Sequence, residues 1–189
     1  MTSTHTLIIG ASAAGLASAA CLQREGIEFV ILEKYPQVAT NWRNHYDRLH
    51  LHTSKKWSGL PFKIFGNSIP KYPSRQDVVD YLDHYAKELN IYPVFNTEVL
   101  SVQKEKDIWI TETNNGIYKS GFLIVATGLN HKPKIPEFEG MNSFKGKVLH
   151  SSQFKNGAAY AGKNVLIVGF GNSGCEQAIC LHEHGANPS

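Results

Sequence analysis

Leu7-Ile-Ile-Gly-Ala-Ser-Ala-Ala-Gly15 decides the fold of this chain. A short apolar run enters a turn of small residues, and a helical pattern follows over residues 13–25 until Gly26 stops it. Glycines allow a tight turn with close backbone approach, and the helix N-terminus then faces an anion such as a dinucleotide pyrophosphate. Ala14, Ala17 and Ala20 are small enough to let that helix lie close on a sheet. Glu28-Phe-Val-Ile-Leu32 reads as the second strand, and Glu33 closes it. A carboxylate at roughly 20 residues past the turn suits ribose hydroxyls; a solvated strand-end charge is the alternative. The same order recurs late in the chain, where Val165-Leu-Ile-Val168 enters Gly169-Phe-Gly-Asn-Ser-Gly174. A helix from about Ser173 to His184 follows, with Gly185 as its stop. Two such turns imply two nucleotides, one holding electrons and one supplying them. That plan fits a flavin paired with a nicotinamide.

Between the turns, residues 35–72 are loop-rich, aromatic and basic. Ser74 and Asp77 then form a capping-box-like helix start, and Val78, Leu82, Tyr85 and Leu89 fall on one helical face. Residues 92–120 alternate as strands around the turn signal Asn114-Asn-Gly116, which predicts a small antiparallel meander. Phe122-Leu-Ile-Val-Ala-Thr-Gly128 reads as a separate, buried strand, and the Pro- and charge-rich residues 131–140 as a crossing between domains. At least one further strand beside the first strand of the second unit is expected to be missing, which predicts a truncated domain and weak or no FAD retention by this chain.

Composition limits the function classes. The 189 residues carry a formal charge of +3 and 42% hydrophobic residues, too little charge to argue for nucleic acid and enough apolar content for a core. No stretch is long enough to span a bilayer, and no signal peptide is read at the start. Cys21, Cys175 and Cys180 contain no redox Cys-x-x-Cys pair, so a cytoplasmic protein without disulfides is expected. His50 and His52 lack a third partner at metal-site spacing. Cys175 is expected to pack against the sheet, and His182 and His184 to favour the helix C-terminus.

Phe144-Lys-Gly-Lys-Val-Leu-His-Ser-Ser-Gln-Phe154 matches the Phe-x-Gly-x-x-x-His-x-x-x-aromatic fingerprint of class B flavin monooxygenases. With both glycine turns and Ala126-Thr-Gly128, it makes the chain resemble the flavin-containing monooxygenases. Tyr46-Asp-Arg-Leu-His-Leu-His52, Tyr72-Pro-Ser-Arg-Gln76 and the second turn look like the plant YUCCA-type indole-3-pyruvate monooxygenases and their bacterial relatives. The resemblance implies an α/β fold. A glutathione-reductase-like FAD-binding Rossmann domain, a parallel sheet plus an antiparallel β-meander, would fill residues 1–130. A crossing would occupy 131–163, and the start of a truncated NADP-binding Rossmann domain 164–189.

It also implies roles. Gly10, Ser12, Ala13, Ala14 and Gly15 would line the FAD pyrophosphate, and Glu33 with Lys34 would lie at the adenosine ribose. Asn41 and Trp42 would follow along the flavin edge, with Thr53 and Ser54 as a polar strip near the ring. The backbone of Val99 would meet adenine, and Ala126, Thr127 and Gly128 would complete the FAD site. Gly169, Gly171, Asn172, Ser173 and Gly174 would cradle NADPH, and His150 would stand between the domains to support cofactor movement. The implied reaction is NADPH- and O2-dependent, inserting one oxygen atom into a small organic substrate through a flavin C4a-(hydro)peroxide.

Three departures bear on this reading. Ser12 stands where the motif has its second glycine, and Phe154 stands where Baeyer–Villiger members carry Trp. A reader of the NADP 2′-phosphate is expected about 20 residues past the second turn, beyond Ser189. Two rivals share the two-nucleotide plan: a thioredoxin-reductase-type flavin reductase, and a catalytically incomplete nucleotide-binding fragment.

Overall fold

A computed structural model describes residues 1–129 and 132–189. The described residues form two compact units: 1–44 with 51–129, and 45–50 with 132–189. The expected boundary at 130/131 lies outside the described residues.

The first unit is organised by a five-stranded sheet in the order β2-β1-β5-β4-β3. Its strands are β1 (Thr2–Ile9), β2 (Phe29–Leu32), β3 (Val99–Glu105), β4 (Ile108–Thr113) and β5 (Gly116–Val125). β1 pairs in parallel with β2 and with β5, so Ile8 lies between Ile31 and Ile124. β5 pairs antiparallel with β4, and β4 with β3. The meander and the strand leading to Ala126 are therefore one element, because no turn residue interrupts 117–125: Gly121 keeps an ordinary strand φ. The expected buried strand is corrected here, since Phe122 and Val125 are 60% and 65% exposed. The meander also starts at Val99, not at residue 92. Pro93 has no N–H to give a ladder and Asn96 is left-handed (φ 53°), so this stretch makes only the single parallel bridge Leu32–Val94.

Helix α1 (Ala13–Arg24) packs through Gly15, Leu16, Ala19 and Ala20. Of the expected alanines Ala20 is buried, but Ala14 is exposed and Ala17 half-buried, so the close-packing face sits slightly round the helix from that set. Two short helices follow, α2 (Thr40–Asn44) and α3 (Lys55–Ser58), then α4 (Arg75–Glu88). Ile8, Ile31, Leu16, Ala19, Val78, Leu82 and Tyr85 form one apolar core with Phe65 and Ile91. Burial pushes the Tyr85 hydroxyl up to about 12, and that hydroxyl donates to the Pro61 carbonyl at 2.9 Å.

The capping box of α4 is complete. Ser74 Oγ accepts from Asp77 N, and the Asp77 carboxylate accepts from Ser74 N at 2.8 Å. Ser74→Ala is expected to cost about 1 kcal/mol, the usual scale of a lost N-cap, read as a lower urea midpoint at constant slope.

The second unit contains a two-stranded parallel pair, β6 (Asn164–Val165) with β7 (Asn187–Pro188), flanking helix α5 (Asn172–Glu183). The strand expected to be missing therefore begins within the chain. Ile167 N donates to Ser189 O at 2.8 Å and Ser189 N to Val165 O at 2.9 Å, continuing the pairing. Of the apolar run 165–168, Leu166 and Val168 remain exposed. The small core gathers Tyr46, Phe154, Cys180, Leu181 and Ala186. Cys180, not Cys175, is the buried thiol of α5. No helix among the described residues is long and apolar enough to cross a membrane.

Candidate functional site

Gly10 leaves β1 at φ +105°, a backbone state that L side chains rarely adopt, and a Cβ there would fall 2.5 Å from the Ala126 carbonyl oxygen. Gly15 packs still closer, since its Cβ would fall 1.9 Å from the Gly10 carbonyl oxygen. The turn is thus wedged between its own helix and the end of β5. Gly10 N donates to Leu32 O and Ala126 N to Ile9 O, both at 2.8 Å.

Glu33 is only 9% exposed, which rules out a solvated strand-end charge. Its Oε2 accepts from Ala11 N at 2.8 Å and its Oε1 from Tyr35 N at 3.0 Å. One carboxylate therefore links the glycine turn to the chain leaving β2, and each oxygen keeps lone-pair capacity for a further donor. Glu33 N and O are held by Val94 O and Thr97 N, which brings the strand entry before Val99 alongside. Gly128 (φ +78°) has Asn41 Nδ2 as the nearest atom to a built Cβ, at 3.8 Å. Gly10, Gly15, Glu33, Asn41 and Ala126–Gly128 thus converge around the C-terminal edge of the parallel strands. Lys34 points its Nζ over the Tyr35 ring and is exposed. Thr53 and Ser54 also make local contacts: Thr53 Oγ1 bonds Ser58 Oγ at 2.6 Å, and Ser54 is the N-cap residue of α3.

α1 differs from α4 at its start. Ser12 makes no side-chain cap bond, and the first turn of α1 carries no acid. Its leading N–H groups point out uncapped by Ser12, which suits an external anion. The start of α5 matches it: Gly171 offers no cap, and the first turn again lacks an acid. Gly169 (φ +117°) and Gly174 repeat the wedge, with a Gly174 Cβ falling 2.3 Å from the Gly169 carbonyl oxygen.

The middle position explains Ser12. Gly171 has φ −86° and a Cβ there meets nothing, and Ser12 at the corresponding place is extended at φ −116°. A serine side chain fits that backbone without strain. Asn172 and Ser173 follow as exposed residues at the start of α5.

His150 caps the short 3-10 turn Ser151–Gln153. Its Nδ1 accepts from Ser152 N at 3.2 Å, and its own N–H donates to Gln153 Oε1 at 3.1 Å. Phe144 and Gly146 of the same fingerprint also touch, for a Gly146 Cβ would lie 2.5 Å from the Phe144 ring.

Sequence reading assigned no role to Tyr46 and Arg48, which the fold brings onto α5. Arg48 donates to Glu176 Oε2 at 2.6 Å and to both Glu183 oxygens at 3.0 and 3.1 Å. The Glu183 contact holds the Arg48 guanidinium well above its ordinary range, and Arg48 in turn holds the Glu183 carboxyl below its own. Burial pushes the Tyr46 hydroxyl up. The signal was present as the Tyr-Asp-Arg triplet, but its partners lie more than a hundred residues away in sequence.

Two glycine turns, each closing a parallel strand and opening a self-uncapped helix, define a protein of the two-dinucleotide oxidoreductase class. The chain belongs to the pyridine nucleotide-disulphide oxidoreductase family, whose pattern matches residues 7–188. It is 40% identical over 201 residues to indole-3-pyruvate monooxygenase YUCCA4 of Oryza sativa subsp. japonica, covering 97% of this chain and 46% of that protein. Among solved structures, the flavin-containing monooxygenase of Stenotrophomonas maltophilia superposes with a TM-score of 0.92 at 28% identity, covering 100% of this chain and 57% of that one. Bacillithiol disulfide reductase Bdr of Staphylococcus aureus gives 0.88 at 28% identity, over 100% and 56% of the two chains. The chain spans about half the length of the curated relatives it matches.

Proposed function

We propose that this chain supplies the FAD cradle and part of the NADPH cradle of a flavin-dependent monooxygenase acting with O2 on a small organic substrate. The observation that carries the reading is the repeated wedge, Gly15 against Gly10 and Gly174 against Gly169, each placed before a helix start that does not cap itself. The residues fit the groups. Gly10, Ser12, Ala13, Ala14 and Gly15 hold the FAD pyrophosphate through backbone N–H groups. The buried Glu33 carboxylate accepts ribose hydroxyls with its remaining lone pairs, next to Lys34. Asn41, Trp42, Thr53, Ser54, Val99, Ala126, Thr127 and Gly128 line the rest, and Gly169, Gly171, Asn172, Ser173 and Gly174 hold the NADPH pyrophosphate. Bound FAD supplies hydride acceptance from NADPH and activation of O2. The protein's own part is to bind, orient and exclude water, which needs no side-chain nucleophile.

The domain division follows the same reading: 1–130 for FAD, 131–163 as the crossing that carries His150, and 164–189 as the beginning of the NADPH part. A cytoplasmic setting belongs to it as well, in keeping with three free cysteines.

The similarity to a disulfide reductase favours a second reading, in which the electrons pass to a disulfide. Cys175 and Cys180 are the cysteines of the second unit, and Cys180 is 2% exposed, a poor position for exchange with a substrate.

Titrating the 189-residue chain with FAD and following flavin fluorescence tests the first cradle. Saturable quenching at one FAD per chain is expected, although FAD retained through purification is expected to be low. Absence of any saturable signal from folded chain overturns the reading. Thiol release from a disulfide substrate, with no oxygen uptake, would select the reductase.

A further inference from the structure

Ser173, Glu176, Cys180 and Glu183 succeed one another at helical i, i+3 and i+4 spacings along one face of α5, and residues 45–50 lie against it. Tyr46 is 4% exposed and packs with Cys180. Arg48 spans Glu176 and Glu183. The short segment is itself fastened, because Asp47 N donates to Lys155 O at 2.8 Å and Asn156 Nδ2 to Asp47 Oδ2 at 2.8 Å. A strap thus runs along α5 from its second turn to its last.

The electrostatics give this strap a purpose. Glu176 stands in the second turn of α5, two residues past Gly174, and helical side chains lean toward the N-terminus. Uncompensated, its charge repels a polyanion held at that end. Arg48 meets Glu176 from a side chain only 29% exposed, with Glu176 at 20%, so solvent screens the pair less than a fully exposed one.

We propose that Arg48 is a positioning residue for the second glycine turn: it cancels the Glu176 charge beside the dinucleotide phosphates. This rests on the NADPH reading above and adds a residue remote in sequence to that site.

The test is NADPH titration of the 189-residue chain by nucleotide fluorescence, alongside thermal unfolding of each variant. Arg48→Met is expected to weaken NADPH about tenfold, the order of one uncompensated charge beside an anion site. The double variant Arg48→Met with Glu176→Gln is expected to regain most of that loss, and the defect of the single variant is expected to shrink in high salt. Glu176→Gln alone is expected to bind NADPH more tightly than the unaltered chain, which keeps the test decisive if Arg48→Met does not fold. A merely structural role for Arg48 predicts no rescue by removing Glu176. Equal affinities for Arg48→Met and the unaltered chain, failure of the double variant to recover, or no tightening by Glu176→Gln would each overturn the proposal. No saturable NADPH signal from the unaltered, folded chain would instead remove the dinucleotide reading, and the proposal with it.

Discussion

Gly15→Ala is expected to abolish FAD binding and to destabilise the first unit by more than any conservative change elsewhere in the turn. Its new methyl would lie 1.9 Å from the Gly10 carbonyl oxygen, where the opposing atom is backbone and cannot rotate away. Either the start of α1 lifts from β1 or the turn opens, and each breaks the close approach that a phosphate needs. Overpacking of a rigid site costs about 1–3 kcal/mol and occasionally more; with backbone on both sides, the upper part of that range is expected. Gly171→Ala is the matched contrast, because a Cβ there meets nothing and the φ is ordinary. Urea unfolding should show a large drop in midpoint for Gly15→Ala and almost none for Gly171→Ala. Equal midpoints for the two would remove the wedge as the explanation of these glycines.

Replacing Glu33 gives the second large effect, and here stability and binding separate. Glu33→Ala leaves the Ala11 N–H, in a residue that is 0% exposed, without its acceptor. An orphaned buried donor costs about 1–3 kcal/mol, and Tyr35 N loses its partner as well. Glu33→Gln keeps one carbonyl oxygen, so it should restore part of the stability. It turns the other acceptor into a donor, which can accept from neither the backbone N–H it faces nor a ribose hydroxyl. The expected pattern is therefore graded unfolding midpoints, with alanine below glutamine below glutamate. FAD affinity should fall at least tenfold in both variants, a change of about 1.4 kcal/mol. Alanine and glutamine variants that bind FAD like the unaltered chain would assign Glu33 a purely structural role.

How much of this was legible beforehand depended on the range of each interaction. The α4 capping box was readable because its donor and acceptor lie three residues apart and need no tertiary partner. The meander turn at Asn114–Asn115 was readable for the same reason, since β4 and β5 meet directly across it. The extent of β5 was not, because parallel pairing with β1 is a long-range choice that no local spacing announces. Nor was the exposure of Phe122 and Val125, which depends on what covers the sheet rather than on the apolar run itself. The alanines of α1 were recognised as small, but the helix turned Gly15 and Ala19 inward and left Ala14 outside.

Two glycine turns, the carboxylate that follows the first, and their order along the chain are properties of the residues alone. Glycine's missing Cβ and its tolerance of positive φ leave few other uses for such a pattern between a strand and a helix. The folded molecule decided what those residues touch. It buried Glu33 against Ala11 N, set each closing glycine against the carbonyl of the opening one, and found β7 where no further strand was expected. It also brought Arg48 to Glu176 and Glu183. Charge pairs and close contacts are fixed by distance in space, and distance along the chain carries no record of it.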